Sequence, residues 1–181
     1  MECSGEYDLR KHGSSMSRAF VKENDEQGNE VPERPQSPYP NHITPRGLDA
    51  LHQQLQLLEA AHRRMAEPQG NELIDQDAKH GLERDIRYLQ DRIARAIVIN
   101  PATQPRDKVG FGATLETADE HGERRKFEIV GEDEADAAVG RLSWVSPLAR
   151  ALTDATVGDE VVWKRPAGDL ALEIVSIRYP D

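Results

Sequence analysis

Two heptad patterns joined by a short turn constrain this chain more than any other feature. In the first stretch, seam residues recur at spacings of three and four, at Leu48, Leu51, Leu55, Leu58, His62 and Met65. The second stretch shows the same alternation, at Leu82, Ile86, Leu89, Ile93 and Ala96. Such spacing places an apolar seam on one side of each helix, where a second helix packs. Because only a short Pro-Gly turn joins the two stretches, we predict an antiparallel helical hairpin, a coiled coil, over residues 44–98.

The hairpin has a well-marked start and an acidic far end. Thr44 is the predicted N-cap, and Pro45 stands at the first helical position, where its missing amide hydrogen costs nothing. Each helix has about 22 residues, which at about 1.5 Å per residue predicts an arm about 33 Å long. Its far end carries the sequence EPQGNELIDQD. Helix starts attract acidic groups because the exposed amides and the macrodipole favour negative charge, so Glu72, Asp75 and Asp77 have a purely structural interpretation.

The residues before the hairpin have the composition of an unfolded tail. Several prolines lie among Glu, Ser, Asn and Gln, with few apolar residues and no sustained period. Ordering such a segment buries too little apolar surface to offset the entropy lost. Residues 1–43 are therefore predicted to form a disordered Pro-rich tail. Met16 opens the sequence MSRAFVKE, and no structural pattern precedes it, so we expect translation to begin at Met16.

After a linker at residues 99–104, the hydrophobic period changes from 3.6 to 2. The segments VGFGATLETAD and RRKFEIVGE flank the turn EHG, and EVVWKRP and LALEIVSIRY flank AGD, which predicts two antiparallel strand hairpins. Between them, Ser146 and Pro147 are the predicted N-cap and first residue of a short helix. The predicted fold class is therefore α+β, with the helical hairpin followed by a small antiparallel β-sheet domain over residues 105–181. We expect its core to contain Phe111, Phe127, Trp144 and Trp163.

Composition narrows the classes of function. The net charge is −10, and residues 105–181 carry 10 basic and 16 acidic side chains, so no extended basic stripe is present to bind phosphates. We expect a protein partner, with nucleic acid met only indirectly. No apolar run approaches the ~20 residues that span a bilayer, and the single cysteine forms no disulfide framework, which predicts a cytoplasmic protein without a membrane partner. The six histidines lack partners at metal-binding spacing, and the cluster EDEAD, residues 132–136, is interpreted as an exposed loop.

Residues 43–179 resemble the bacterial GreA/GreB transcript cleavage factors. The most specific pieces are FGATL, IVGEDEAD, SPLARAL, VGDEV and the closing IRY, while MSRAFVKE resembles the start of GreB-like proteins. The resemblance implies an FKBP-like C-terminal domain that docks on the rim of the secondary channel of RNA polymerase. It also implies that the docking contact involves Ser146, Pro147 and Leu148, with help from Arg150. A monomer is expected.

The resemblance also implies a role for the acidic end of the arm. In this family, acidic tip residues help the polymerase to hold a second Mg²⁺ ion and a water, so that the polymerase cuts backtracked transcripts. Glu72, Asp75 and Asp77 would then assist an Mg²⁺ ion that belongs to the polymerase. The protein would have no catalytic site, cofactor or stable metal of its own. The usual tip has an Asp followed three residues later by Glu-Asn, whereas here Glu72 precedes Asp75 in the reverse order, and the arm is shorter by about two heptads in total.

Three functions stay open from the sequence. The favoured interpretation is a GreB-like elongation factor that binds polymerase and stimulates transcript cleavage. The second is a non-catalytic binder of the same channel, similar to the short-armed relative Rnk. The third is a prolyl isomerase suggested by the FKBP-like fold, although fold alone does not imply function and the domain has few aromatic residues to line a pocket.

Overall fold

A computed structural model describes residues 32–66 and 76–180 of the chain. The predicted tip residues Glu72 and Asp75 and most of the predicted tail lie outside the described residues. The described part is α+β, a helical hairpin followed by a sheet domain. Its helices are α1 (Pro45–Ala66), α2 (Gln76–Ala94) and α3 (Pro147–Leu152). Its strands are β1 (Asn41–Ile43), β2 (Ala96–Val98), β3 (Thr114–Asp119), β4 (Arg124–Val130), β5 (Arg141–Ser143), β6 (Glu160–Trp163) and β7 (Leu170–Arg178).

The hairpin follows the predicted seam. The Thr44 hydroxyl accepts a hydrogen bond from the amide of Gly47 at 3.0 Å, which confirms Thr44 as the N-cap of α1. Leu51 and Leu89 are buried between the helices, and Leu48, Leu55, Leu58, Ile93 and Ala96 pack around them. The seam becomes more exposed toward the tip, where Met65 is 37% exposed. The basal half of the arm therefore holds most of its apolar packing.

The predicted boundaries of the hairpin need correction at its base. Helix α2 ends at Ala94 instead of reaching residue 98, because β2 pairs in parallel with β1, with Asn41 opposite Ala96. The first of these strands belongs to the segment predicted to be a disordered tail, yet Ile43 is completely buried against the seam. The short linker is also partly ordered, since Pro101–Thr103 forms a 3-10 helix. Three-residue strands leave no periodic signal in a sequence, which explains these differences.

The C-terminal domain contains a five-stranded sheet in the order β5-β4-β3-β7-β6. Both predicted strand hairpins are confirmed, because β3 pairs with β4 and β6 pairs with β7 in antiparallel fashion. The sheet is not wholly antiparallel, since β5 runs parallel to β4. Helix α3 packs against the sheet, and the buried core of the domain consists of Val109, Ala113, Leu115, Phe127, Ile129, Leu148, Ala149, Leu152, Leu170, Leu172, Ile174 and Tyr179.

The aromatic residues of the domain are placed only partly as predicted. Phe127 is buried in the core, which confirms that prediction, and Trp144 and Trp163 are half-buried at the edge of the core. The prediction for Phe111 is wrong, because this ring precedes β3 and lies edge-on to His42 at the base of the hairpin, 6.0 Å between centroids. The FKBP-like character of the domain stays a prediction. No helix among the described residues is both long and apolar enough to cross a membrane.

Candidate functional site

The candidate site has three parts, which lie at different positions along the molecule. The tip is the end of the hairpin, residues 67–77. The predicted docking helix, called the docking helix below, is α3 with its cap Ser146. The joint is the place where the base of the hairpin meets the C-terminal domain, and its polar residues are Asn41, Thr44, Arg92, Asp133 and Glu134.

The docking helix is built as the sequence predicts. The Ser146 hydroxyl accepts a hydrogen bond from the amide of Ala149 at 3.2 Å, and Pro147 follows at the first helical position. Pro147 and Arg150 are exposed, so both are available to a partner. Leu148 differs from the expectation, because its side chain is only 3% exposed and packs in the core. It holds the helix in place and does not itself present a contact surface, while the predicted docking roles of Ser146, Pro147 and Arg150 stay predictions.

Arg92 is the first polar centre of the joint. Its side chain is 4% exposed, and the guanidinium donates to both carboxylate oxygens of Asp133, at 2.9 and 3.1 Å from Nε. It also donates to the side-chain carbonyl of Asn41, and the Asn41 amide group donates back to the backbone oxygen of Arg92 at 2.7 Å. A buried arginine needs such partners, because an unpaired charge away from water is strongly destabilising. The end of α2 is thereby tied both to β1 and to the C-terminal domain.

Glu134 is the second polar centre of the joint. Its carboxylate accepts hydrogen bonds from the amide of Thr44 at 2.9 Å and the amide of Gly131 at 3.2 Å, and from the Thr44 hydroxyl. The carboxylate therefore lies at the N-terminus of α1, where the helix dipole favours negative charge. Gly47 makes this approach possible, because a Cβ atom added there would lie 2.2 Å from Cδ of Glu134.

The acidic cluster EDEAD is therefore not the exposed loop that its composition predicts. Glu134 is only 8% exposed, and the side chain of Asp133 is 11% exposed. Their partners Thr44 and Arg92 lie 90 and 41 residues away in the chain, so no local pattern identifies the pairing. The only sequence signal is the group of four acidic residues after Gly131, because residues 127–140 contain no lysine or arginine to balance their charge.

A cleft of about 690 Å³ opens beside the joint, between the start of α1 and strands β3, β4 and β7. Among the described residues that line it, the aromatic side chains are Phe127 and Tyr179, which are 7% and 8% exposed. Burial raises the pKa of the Tyr179 hydroxyl, which donates to the backbone oxygen of Lys108 at 2.8 Å. Because both rings are buried in the core of the domain, they do not form an aromatic-lined pocket in the cleft, and the cleft does not favour the prolyl isomerase hypothesis.

Of the tip, the structure describes only residues 76 and 77. Glu72 and Asp75 lie outside the described residues, whereas Asp77 is exposed in the first turn of α2. On the two helices near the tip, Nε2 of His62 lies 3.0 Å from a carboxylate oxygen of Glu83, and this hydrogen bond lowers the pKa of Glu83 below its ordinary value of 4.5. Within residues 32–66 and 76–180, no group of three or more His, Cys, Asp or Glu side chains is placed to hold a metal ion.

A family model and two relatives that cover most of the chain belong to one family. The family model "Transcription elongation factor, GreA/GreB, C-term" matches residues 104–179. The transcription elongation factor GreB of Neisseria meningitidis serogroup B is 37% identical over 153 residues, which cover 77% of this chain and 94% of that protein. The transcription elongation factor GreA of Brucella canis is 32% identical over 151 residues, which cover 76% of this chain and 96% of that protein. The solved GreA/GreB structure from Nitrosomonas europaea is 24% identical, with a TM-score of 0.39, and covers 76% of this chain and 98% of that one.

Proposed function

The chain belongs to the GreA/GreB family of transcription elongation factors, and on this basis we propose that it binds RNA polymerase through the docking helix and places its hairpin in the secondary channel. Factors of this family are accessory proteins of the polymerase, so the chain is not itself an enzyme. With this partner, the protein acts in the cytoplasm as a monomer and meets nucleic acid only through the elongation complex.

The joint is the observation that carries this proposal. A projecting arm acts on a distant centre only if its base is fixed, since a loose base spreads the far end over many positions. Arg92 ties α2 to Asp133, and Glu134 ties α1 to the C-terminal domain. Helix α1 has 22 residues and therefore extends about 33 Å from this fixed base. The domain that binds and the arm that acts thus form one unit.

At the far end, the proposed chemistry belongs to the polymerase. Mg²⁺ is a hard cation that takes oxygen ligands, and two-metal hydrolysis requires a second ion and a positioned water. Glu72 and Asp75, with Asp77 beside them, would supply carboxylate oxygens to that shared ion while the polymerase provides its other ligands. The arm would contribute these oxygens only while it lies in the secondary channel. Because the Mg²⁺ ion belongs to the polymerase, the protein would need no cofactor of its own.

A second candidate function is supported by the size and sequence of the arm. Its helices have 22 and 19 residues in the described part, and Glu72 and Asp75 stand in the reverse of the family's usual acidic order. This second function is that of a non-catalytic binder. Such a factor would occupy the secondary channel and compete with longer cleavage factors without assisting transcript cleavage.

Transcript cleavage in a backtracked bacterial elongation complex separates the two functions. Cleavage would be measured with and without the full chain at several Mg²⁺ concentrations, together with the double variant Glu72→Gln, Asp75→Asn. The matched control is Glu120→Gln, Glu123→Gln, which removes two exposed charges from the β3–β4 turn. Faster cleavage that the tip variant loses and the control retains supports the cleavage function.

Other outcomes of the same experiment are equally informative. No acceleration, together with displacement of a known cleavage factor, supports the non-catalytic binder. Acceleration that survives in the tip variant contradicts the role of Glu72 and Asp75. Unchanged polymerase binding by Pro147→Ala would show that the docking assignment is wrong.

A further inference from the structure

The segment that precedes the hairpin, residues 33–40, runs from the arm to the docking helix, and we call it the strap. At its first end, a carboxylate oxygen of Glu33 accepts hydrogen bonds from Nε and Nη2 of Arg87 at 2.9 and 2.6 Å. The guanidinium of Arg34 lies over the ring of Tyr88, 4.0 Å from its centroid. The strap therefore begins on the surface of α2.

The second end of the strap reaches the docking helix. Ser37 donates a hydrogen bond to a carboxylate oxygen of Glu132 at 2.9 Å. The ring of Tyr39 then meets Trp144 edge-on, with 6.3 Å between the centroids. On its other side, the guanidinium carbon of Arg150 lies 5.1 Å from the centroid of Tyr39. Tyr39 is thus placed between the edge of the domain core and the exposed arginine of the docking helix.

Tyr39 and Arg150 form an exposed pair with the chemistry of a binding element. Tyr39 remains 43% exposed despite these contacts, and Arg150 is exposed. In the described part of the chain, no carboxylate lies within ion-pair distance of Arg150, although the protein as a whole carries a net charge of −10. Tyrosine and arginine are enriched among the residues that dominate binding energy at protein interfaces. Contact with the Tyr39 ring also restricts the long arginine side chain, so less conformational entropy is lost when a partner binds.

We propose that Tyr39 joins Arg150, Ser146 and Pro147 in the docking surface, and that this pair receives a carboxylate of RNA polymerase that lies beside an apolar side chain. The charge argument selects this chemistry, because Arg150 is a cation whose own chain supplies no counterion in the described residues. The net charge of −10 favours basic partner surfaces opposite the rest of the chain. At Arg150 the local charge is positive, so an acidic group is favoured there. This inference rests on the proposed function, since it assigns a new residue to the same surface.

Equilibrium binding of the full chain to bacterial core RNA polymerase tests the inference. We expect Tyr39→Ala and Arg150→Gln each to weaken binding about tenfold. Tyr39→Phe should bind within about twofold of the unaltered chain, because the ring makes the contacts described above. The double variant should lose clearly less than the product of the two single effects, since the residues act as a pair. The Arg150→Gln effect should shrink as salt concentration rises.

The first control variants separate binding from mere ordering of the strap. Arg34→Gln removes the cation–π contact at the opposite end and should leave polymerase affinity unchanged within about twofold. Tyr39→Leu keeps an apolar side chain against Trp144 but provides no ring to Arg150, and it should bind as weakly as Tyr39→Ala. The inference would be overturned if Arg34→Gln and Tyr39→Ala lost the same amount of polymerase affinity, or if Tyr39→Leu bound polymerase as tightly as the unaltered chain.

Pro147→Ala separates failure of this inference from failure of the proposed function. If the unaltered chain does not bind polymerase, or if Pro147→Ala binds normally, then the proposed docking function fails. If Pro147→Ala is weakened while every Tyr39 variant binds normally, the proposed function stands and only the role of the strap is refuted. If Pro147→Ala and Tyr39→Ala both bind polymerase more weakly while Arg34→Gln binds normally, the inference is supported.

Discussion

The arm and the C-terminal domain are stabilised in different ways. Among the described residues, the core of the domain contains twelve buried hydrophobic side chains, whereas the core of the arm contains only Ile43, Leu51 and Leu89. All three lie toward the base of the arm, while Met65 near its far end is 37% exposed. The domain therefore has a closed core, and the arm has a single seam that is strongest where it meets the domain.

This difference indicates which interactions contribute most to the stability of each region. A closed core gives the domain a large stabilising contribution, since apolar stabilisation scales with the area removed from water. The arm has too narrow a seam for that, so its base depends on the polar contacts of Arg92 and Glu134. Substitutions in the core should therefore have the largest effects on stability, those in the joint intermediate effects, and those in the outer arm the smallest.

Leu152→Ala should produce the largest loss of stability. Leu152 is completely buried in the domain core, and removal of a buried leucine side chain costs about 2–5 kcal/mol because a cavity remains. Chemical denaturation with urea measures this loss. Ala151→Ser, on the exposed side of the same helix, is the matched control and should change the free energy of unfolding by about 0.5 kcal/mol at most. Similar effects of the two substitutions would contradict the closed core.

Arg92→Met should have the next largest effect. The substitution leaves Asp133 and Asn41 without their buried partner, which costs about 3 kcal/mol. Arg95→Met, one residue beyond the end of the same helix, is the matched control, because its exposed pair with Asp91 contributes about 0.5 kcal/mol or less. Thermal unfolding and amide hydrogen exchange in β1 and β2 report the loss. Equal effects of the two substitutions would mean that the joint does not fix the arm.

Gly47→Ala and Gly81→Ala should change stability in opposite directions. A Cβ atom at position 47 would lie 2.2 Å from Cδ of Glu134, and relief of this overlap costs about 1–3 kcal/mol. A Cβ atom at position 81 meets no described atom within 4 Å, so alanine there should stabilise α2 by about 0.5–1 kcal/mol. Midpoints of urea unfolding for the two variants measure both effects, and a loss of stability in Gly81→Ala would be inconsistent with this explanation.

The pair His62–Glu83 should have the smallest effect, visible as a dependence on pH. The hydrogen bond from His62 lowers the pKa of Glu83 below 4.5, so its contribution to stability is present above pH 4.5 and disappears as the pH falls through the lowered pKa. His62→Ala removes this contribution. The difference between the thermal unfolding curves of the two proteins should therefore be larger near pH 6 than at a pH below the lowered pKa of Glu83. A difference that grows on acidification would contradict the sign of this effect.

The sequence was sufficient where the structure depends on neighbouring residues. The caps Thr44 and Ser146 and both strand hairpins follow from local spacing and turn chemistry, and the structure confirms them. The long seam was equally visible, because seven-residue periods are sustained over several turns. Each of these features leaves a repeated or short-range signal.

The remaining features depend on contacts between distant segments. Glu134 and Thr44 are 90 residues apart, and β1 and β2 are too short to show a period, so neither the joint nor the order of residues 32–43 was predictable. The prediction for Phe111 is wrong for the same reason, since this ring contacts His42 of that segment. The docking residues are a prediction from the resemblance alone, and Leu148 shows that membership of a motif does not establish that a side chain is exposed.

The contact between Glu134 and α1 also has a consequence for the order of folding. A chain is synthesised from its N-terminus, so α1 leaves the ribosome long before Glu134 is made. Until then the first turn of α1 lacks the carboxylate that receives the amide and hydroxyl of Thr44, and closure of a loop of 90 residues must follow. The arm is therefore synthesised early but its base is completed only after Glu134 is made, and a nascent chain that stalls before residue 134 carries an arm whose base lacks this carboxylate.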